Sequence, residues 1–184
     1  MLEGSSNQSF EIRYNDAKKA YKNGDIKYAI SILLECVKEK HISSILLLAK
    51  IYEKEKLVDK SFELVKLAYD LGSDEAIDNL GRCYYLGIGT EINYQKAIEL
   101  FYLANEKKVI TAPYHIALCY ALGHGVKKDV GIAFNYYKQG EKYNDPRCVY
   151  NIAKYYEHGI YVGQNQEMAN LYYQKAKTLG LIEK

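Results

Sequence analysis

One offset governs this chain. Residues of the same class recur every 36 positions through its second half: Leu80, Ile116 and Ile152; Tyr84, Tyr120 and Tyr156; Gly87, Gly123 and Gly159; Ala97, Ala133 and Ala169; Phe101, Tyr137 and Tyr173. A period of this length marks a stacked supersecondary unit too small to bury its own apolar face, which must lean on the next copy. Within each copy, apolar or small residues fall at helical spacing before the glycines (Ala76, Leu80, Tyr84) and again after them (Ala97, Leu100, Phe101, Ala104), so each copy reads as a helical hairpin.

The punctuation agrees. Gly87 and Gly89, then Gly123 and Gly125, supply the backbone freedom for the turn inside each hairpin. Asn93, Asp129 and Asn165 each stand four residues before a register alanine, where a short polar side chain can cap the second helix. Ser73-Asp74-Glu75, Thr111-Ala112-Pro113 and Asp145-Pro146 read as starts of first helices, and both prolines of the chain sit there, where a missing amide donor does no harm. The first half repeats the plan with shorter turns, around Gly24-Asp25 and across Glu53 to Asp59. The hairpins expected are 10–40, 41–72, 73–108, 109–144 and 145–180, preceded by a disordered or engineered lead-in over 1–9 and followed by a tail over 181–184.

These residues resemble known repeat families. The series Ala76, Leu80-Gly81, Tyr84, Gly87-Ile88-Gly89, Asn93, Lys96-Ala97, Phe101, Ala104 looks like a Sel-like repeat, and Ala112, Ile116-Ala117, Tyr120, Gly123-His124-Gly125-Val126, Asp129, Ala133, Tyr136-Tyr137, Gly140 matches better still. The third copy departs: Tyr161 takes the place of the second turn glycine, Cys148 of the first alanine and Met168 of the usual lysine. Residues 10–72 are similar to two tetratricopeptide hairpins, most clearly at Ala17, Ala20, Gly24-Asp25 and Ala29, and 73–180 to three Sel-like repeats. The resemblance implies an all-α, right-handed superhelical solenoid of about five antiparallel helix pairs. It implies a non-enzymatic scaffold or adaptor that binds other proteins, and it places the first helix of each pair on the inner, concave face.

On that placement, one inward column reads Lys18, Lys50, Arg82, Leu118 and Lys154. A second reads Tyr14, Leu46, Asp78, Tyr114 and Tyr150, and a third Tyr21, Glu53, Tyr85, Ala121 and Glu157. A groove of this make-up is expected to take an extended or helical segment of a protein partner, with tyrosines supplying rigid contact area and the basic column meeting carboxylates. The residues expected at the partner are Tyr14, Lys18, Tyr21, Leu46, Lys50, Asp78, Arg82, Tyr85, Tyr114, Leu118, Tyr150 and Lys154. The opposing reading makes the basic residues a solvated helix face and most of the tyrosines inter-repeat packing, as Tyr84, Tyr120 and Tyr156 must be.

Other chemistries leave little trace. Lys plus Arg number 25 against 23 for Asp plus Glu, which offers no argument for a nucleic-acid backbone. Cys36, Cys83, Cys119 and Cys148 form no close pair, and His41, His115, His124 and His158 fall at unrelated repeat positions, read as turn or surface residues; neither set has metal-ligand spacing, and no metal or cofactor is expected. Gly87-Ile88-Gly89 and Gly123-His124-Gly125 follow no strand and continue as no phosphate loop. No apolar run approaches the roughly 20 residues of a membrane span, and the start has neither a basic leader nor an apolar core, so a cytoplasmic setting is expected. Three alternatives stand beside the adaptor: a bacterial virulence or toxin-neutralising binding protein, a hydrolase of a small cell-wall-like or lactam ligand, and a nucleic-acid binder. Tyr172, Tyr173 and Leu179 in the last repeat offer a homodimer contact.

Overall fold

The computed structural model describes residues 3–181, with side chains from residue 9 onward. It is all-α, with ten helices and no strand among the described residues: α1 (Glu3–Lys22), α2 (Ile26–Lys38), α3 (Ile42–Lys54), α4 (Val58–Asp70), α5 (Asp74–Leu86), α6 (Tyr94–Glu106), α7 (Ala112–Leu122), α8 (Val130–Lys142), α9 (Pro146–His158) and α10 (Gln166–Thr178). α1 with α2, α3 with α4, α7 with α8 and α9 with α10 pack as hairpins. The first helix begins at Glu3, inside the segment expected to precede the fold; Met1, Leu2 and residues 182–184 lie outside the described residues. No described helix is long and apolar enough to cross a membrane.

The caps are where the polar residues put them. Asn93 and Asn165 accept from the backbone N–H of Lys96 and Met168, and Asp129 accepts from both Gly131 and Ile132, all at 2.9 Å. Each bond satisfies an amide that the first helical turn leaves without a partner, a contribution of about 1 kcal/mol per cap. Ser73 caps α5 through Ala76, and Asp145 caps α9 through Arg147. Thr111 is different: its backbone is already helical and its side chain makes no capping bond, and α7 begins at Ala112 with Pro113 in its first turn.

Two compact units make up the chain, Met1–Glu91 and Ile92–Lys184, the division falling in the turn between α5 and α6. In unit 1, Ala17, Ala29, Leu33, Leu48 and Ile51 form a fully buried centre against which Tyr14, Tyr21 and Tyr52 pack, with Ile45, Ala68 and Ala76 forming a second cluster. In unit 2, Ala117, Ala133, Tyr137, Cys148 and Ile152 do the same, ringed by partly buried aromatics. Alanine recurs at these contacts because a methyl group lets neighbouring helices approach closely, while the larger chains fill the gaps.

The turns inside the hairpins show why glycine recurs. Gly89 (φ +64°) and Gly125 (φ +71°) take left-handed backbone, and each presses on the start of the preceding hairpin's second helix. A β-carbon at Gly89 would fall 2.4 Å from the carbonyl oxygen of Val58, and one at Gly125 would fall 2.4 Å from that of Tyr94. Tyr161 stands at the equivalent place in the last hairpin and holds the same backbone, φ +65°. Its ring lies over Gly131, where a β-carbon would meet Cε2 at 2.7 Å, and it tilts against Phe134 with centroids 5.7 Å apart. A second departure is absorbed similarly. Cys148, in place of alanine, puts its Sγ 2.3 Å from where a β-carbon of Gly140 would stand, and Gly140 occupies the position held by Ala104 and Ala176 in the neighbouring copies.

Candidate partner-binding groove

Unit 1 carries a groove of about 600 Å³ lined mainly by α1, α3 and α5. Tyr14 and Lys18 come from α1, Leu46, Leu47, Lys50, Glu53 and Lys54 from α3, and Glu75, Asn79 and Arg82 from α5; Ser61 and Val65 of α4 form part of the floor. The spacing that stacks hairpins thus brings together residues far apart in sequence.

Arg82 and Glu53 are joined by two parallel bonds: Nη1 donates to Oε1 at 2.8 Å and Nη2 to Oε2 at 2.6 Å. This fork is the strong geometry for a guanidinium and a carboxylate. The bonds from Arg82 hold the Glu53 carboxyl below its ordinary range, against the opposing pull of partial burial, and Glu53 raises Arg82 in return. The two side chains remain 29% and 27% exposed, so the pair is a fixed wall of the groove and water screens its electrostatics. Lys18 and Lys50 are exposed, Lys18 lying over the Tyr14 ring at 5.1 Å, and Lys54 lies over Tyr21 at 5.6 Å.

Of the residues expected here, the structure gathers Tyr14, Lys18, Leu46, Lys50 and Arg82 along one groove. Asp78 is buried in α5 and does not line the groove; its neighbour Asn79 does. Tyr21 packs on the Ala17–Ile51 centre, and Tyr85 is half-buried and not among the lining residues. The expectation that Arg82 is an available cation is corrected by its fork with Glu53. Sequence register could not show that pairing, because 29 residues separate the partners.

The remaining expected residues lie in unit 2, on α7 and α9, in a different setting. Tyr114 is covered by the Arg147 guanidinium 4.2 Å above its ring, and Arg147 is in turn held by Asp145 at 2.6 Å. Tyr150 packs on Tyr173 and carries Lys154 over its face at 5.0 Å; Leu118 is half-buried. Second helices of unit 2 are laced by polar pairs: Gln139 donates to Asn105 at 2.9 Å, Lys138 to Tyr172 at 2.9 Å, and Lys175 to Glu141 at 2.7 Å, with Glu141 also paired to Lys138. Burial would raise the Glu141 carboxyl, but the hydrogen bonds from the two lysines outweigh it and the net shift is downward. His115 is also corrected: it is buried in α7 and stacks on Phe101 at 4.7 Å.

Matches to the Sel1 repeat cover residues 74–108, 112–141 and 146–181, more than half of the chain. The chain belongs to the Sel1 repeat family. This Sel1 repeat protein is 30% identical over 107 residues to Protein SHC1 of Saccharomyces cerevisiae, a match covering 58% of the chain and 21% of that protein. It is 32% identical over 104 residues to chitin synthase regulatory factor 2 of Schizosaccharomyces pombe, covering 54% and 20%. The chain therefore spans about a fifth of the length of these curated relatives. Among solved structures, a Sel1 repeat protein from Oxalobacter formigenes superposes with a TM-score of 0.75 at 23% identity, over 91% of this chain and 70% of that one. A protective antigen of uropathogenic Escherichia coli with the same type of fold gives 0.72 at 19% identity, over 96% and 40%. These likenesses establish the helix-pair solenoid class.

Proposed function

We propose that this Sel1 repeat protein is a non-enzymatic interaction scaffold that holds a segment of another protein in the groove of unit 1. The observation that carries the reading is the groove itself. Three successive first helices contribute to one cavity with an apolar floor and charged walls, in the volume range of sites that seat ligands, about 300–1,000 Å³. Its side chains offer fixed contact area without a nucleophile and base in hydrogen-bonding arrangement, which supports binding over catalysis. Family membership supports the same role, and the names of the yeast relatives, one a chitin synthase regulatory factor, favour a regulatory adaptor over a structural one.

Site-specific photo-crosslinking tests the reading. A crosslinking amino acid in place of Leu46, on the groove, is expected to trap a discrete protein adduct in cells, and the same group in place of Tyr28, exposed on α2, is not. Adducts formed equally from both positions, or from Tyr28 alone, would move the interaction off the groove.

A further inference from the structure

We propose that the groove of unit 1 selects an acidic segment of its partner, with carboxylates on Lys18 and Lys50 and aliphatic side chains on the Leu46–Val65 floor. The proposal rests on the groove being the partner site. Its lining holds four basic side chains and two acidic ones, and they are not equivalent. Arg82 and Glu53 satisfy each other through two short bonds and form a neutral, rigid wall. The unbalanced charge is then Lys18, Lys50 and Lys54 against Glu75 alone, and among the described residues none of the three lysines forms an ion pair with a carboxylate.

Two of these ammonium groups rest over aromatic rings, Lys18 on Tyr14 and Lys54 on Tyr21. A ring face attracts the cation without taking its N–H donors, so the lysines stay localised and can still bond a carboxylate. Between them Leu46, Leu47, Ala49 and Val65 make the floor largely aliphatic, and an entirely charged ligand would leave it wet. A segment mixing Asp or Glu with Leu- or Val-like residues covers both. A nucleic-acid strand fits less well: Glu75 stands on the rim, and the one tyrosine ring lining the groove is already covered by Lys18, leaving no open platform for base stacking.

The test is fluorescence anisotropy on the full chain with three probes: a labelled peptide in which Glu alternates with Leu and Ser, the same peptide with Gln for Glu, and a single-stranded DNA of equal charge. The Glu peptide is expected to bind at least about tenfold more tightly than the Gln peptide, and to lose at least about tenfold in Lys18→Glu/Lys50→Glu. Lys127→Glu, in a turn of unit 2, should leave it unchanged. Equal binding of the Glu and Gln peptides, lost in Leu46→Asp, would overturn acidic selection while leaving the groove as the partner site. Peptide binding unaffected by both Leu46→Asp and the lysine reversals would overturn the groove reading too. Tighter binding of DNA than of the Glu peptide, or no binding of the Glu peptide at all, would overturn the proposal. Circular dichroism of each variant separates lost binding from lost fold.

Discussion

The turn at Gly123–Gly125 and the turn at Gly159–Tyr161 join the same two helices in successive hairpins of unit 2 and follow the same backbone path, yet they are packed by opposite means. At Gly125 the main chain lies directly against the carbonyl of Tyr94, and His124 stacks on the Tyr94 ring at 4.1 Å. At Tyr161 a full aromatic ring fills the corresponding space, and room for it comes from Gly131 at the start of α8. A departure from the repeat pattern is therefore compensated from the neighbouring helix, 30 residues earlier in sequence, and the turn geometry survives. The same holds for Cys148 and Gly140. Repeat positions are constrained in pairs across the hairpin interface rather than one by one.

Substituting the close-packed glycine should have the largest effect. Gly125→Ala combines a left-handed φ with a β-carbon aimed at main-chain atoms that cannot rotate away, and should destabilise by about 3 kcal/mol in urea unfolding. A cost under about 1 kcal/mol would mean that the turn can lift off α6 freely, and the contrast with Tyr161 would lose its basis.

Next in size is Gly140→Ala. Helix propensity favours the alanine by about 1 kcal/mol, but its methyl group would overlap the buried Cys148 sulfur, giving a net loss of about 1–2 kcal/mol. Adding Cys148→Ala removes the obstacle, so the double variant should recover stability relative to Gly140→Ala, with a coupling of about 1–2 kcal/mol. Strict additivity in that cycle would show the two positions to be independent, and paired compensation would fail at this site.

These pairs mark how far the sequence could be read. The helices, caps and turns were legible because they depend on local chemistry and a fixed period: Asn93, Asp129 and Asn165 cap where their spacing placed them. α7 begins at Ala112 as Thr111-Ala112-Pro113 indicates, but without a side-chain cap from Thr111. Lys18, Lys50 and Arg82, one repeat apart in the sequence, line one groove because they hold equivalent positions on α1, α3 and α5. Register could not reveal that Glu53, from the adjacent column, reaches across to occupy Arg82, nor that Asp78 turns inward, because both depend on the depth at which neighbouring helices pack. A charge-reversal test including Arg82 would set two carboxylates against each other and confuse lost binding with damage to the wall.

The smallest effects come from two residues that hold left-handed backbone without being glycine. Lys108 (φ +60°) follows α6, its backbone N–H bonded to the carbonyl of Asn105 at 3.0 Å while that of Val109 reaches Ala104 at 2.9 Å, and its side chain is exposed. Lys108→Gly removes about 1–2 kcal/mol of left-handed strain and adds about 0.5–1 kcal/mol of unfolded-state freedom, a net gain of about 0.5 kcal/mol. Tyr161→Gly obtains the same backbone relief but forfeits the ring against Gly131 and Phe134, of which 61% is exposed and the rest packed, so its stability should stay within about 0.5 kcal/mol of the parent. Because the backbone terms match, the difference between the two variants measures what the ring contributes. If Tyr161→Gly gains as much as Lys108→Gly, the ring stabilises nothing, and Gly131 merely makes space for it.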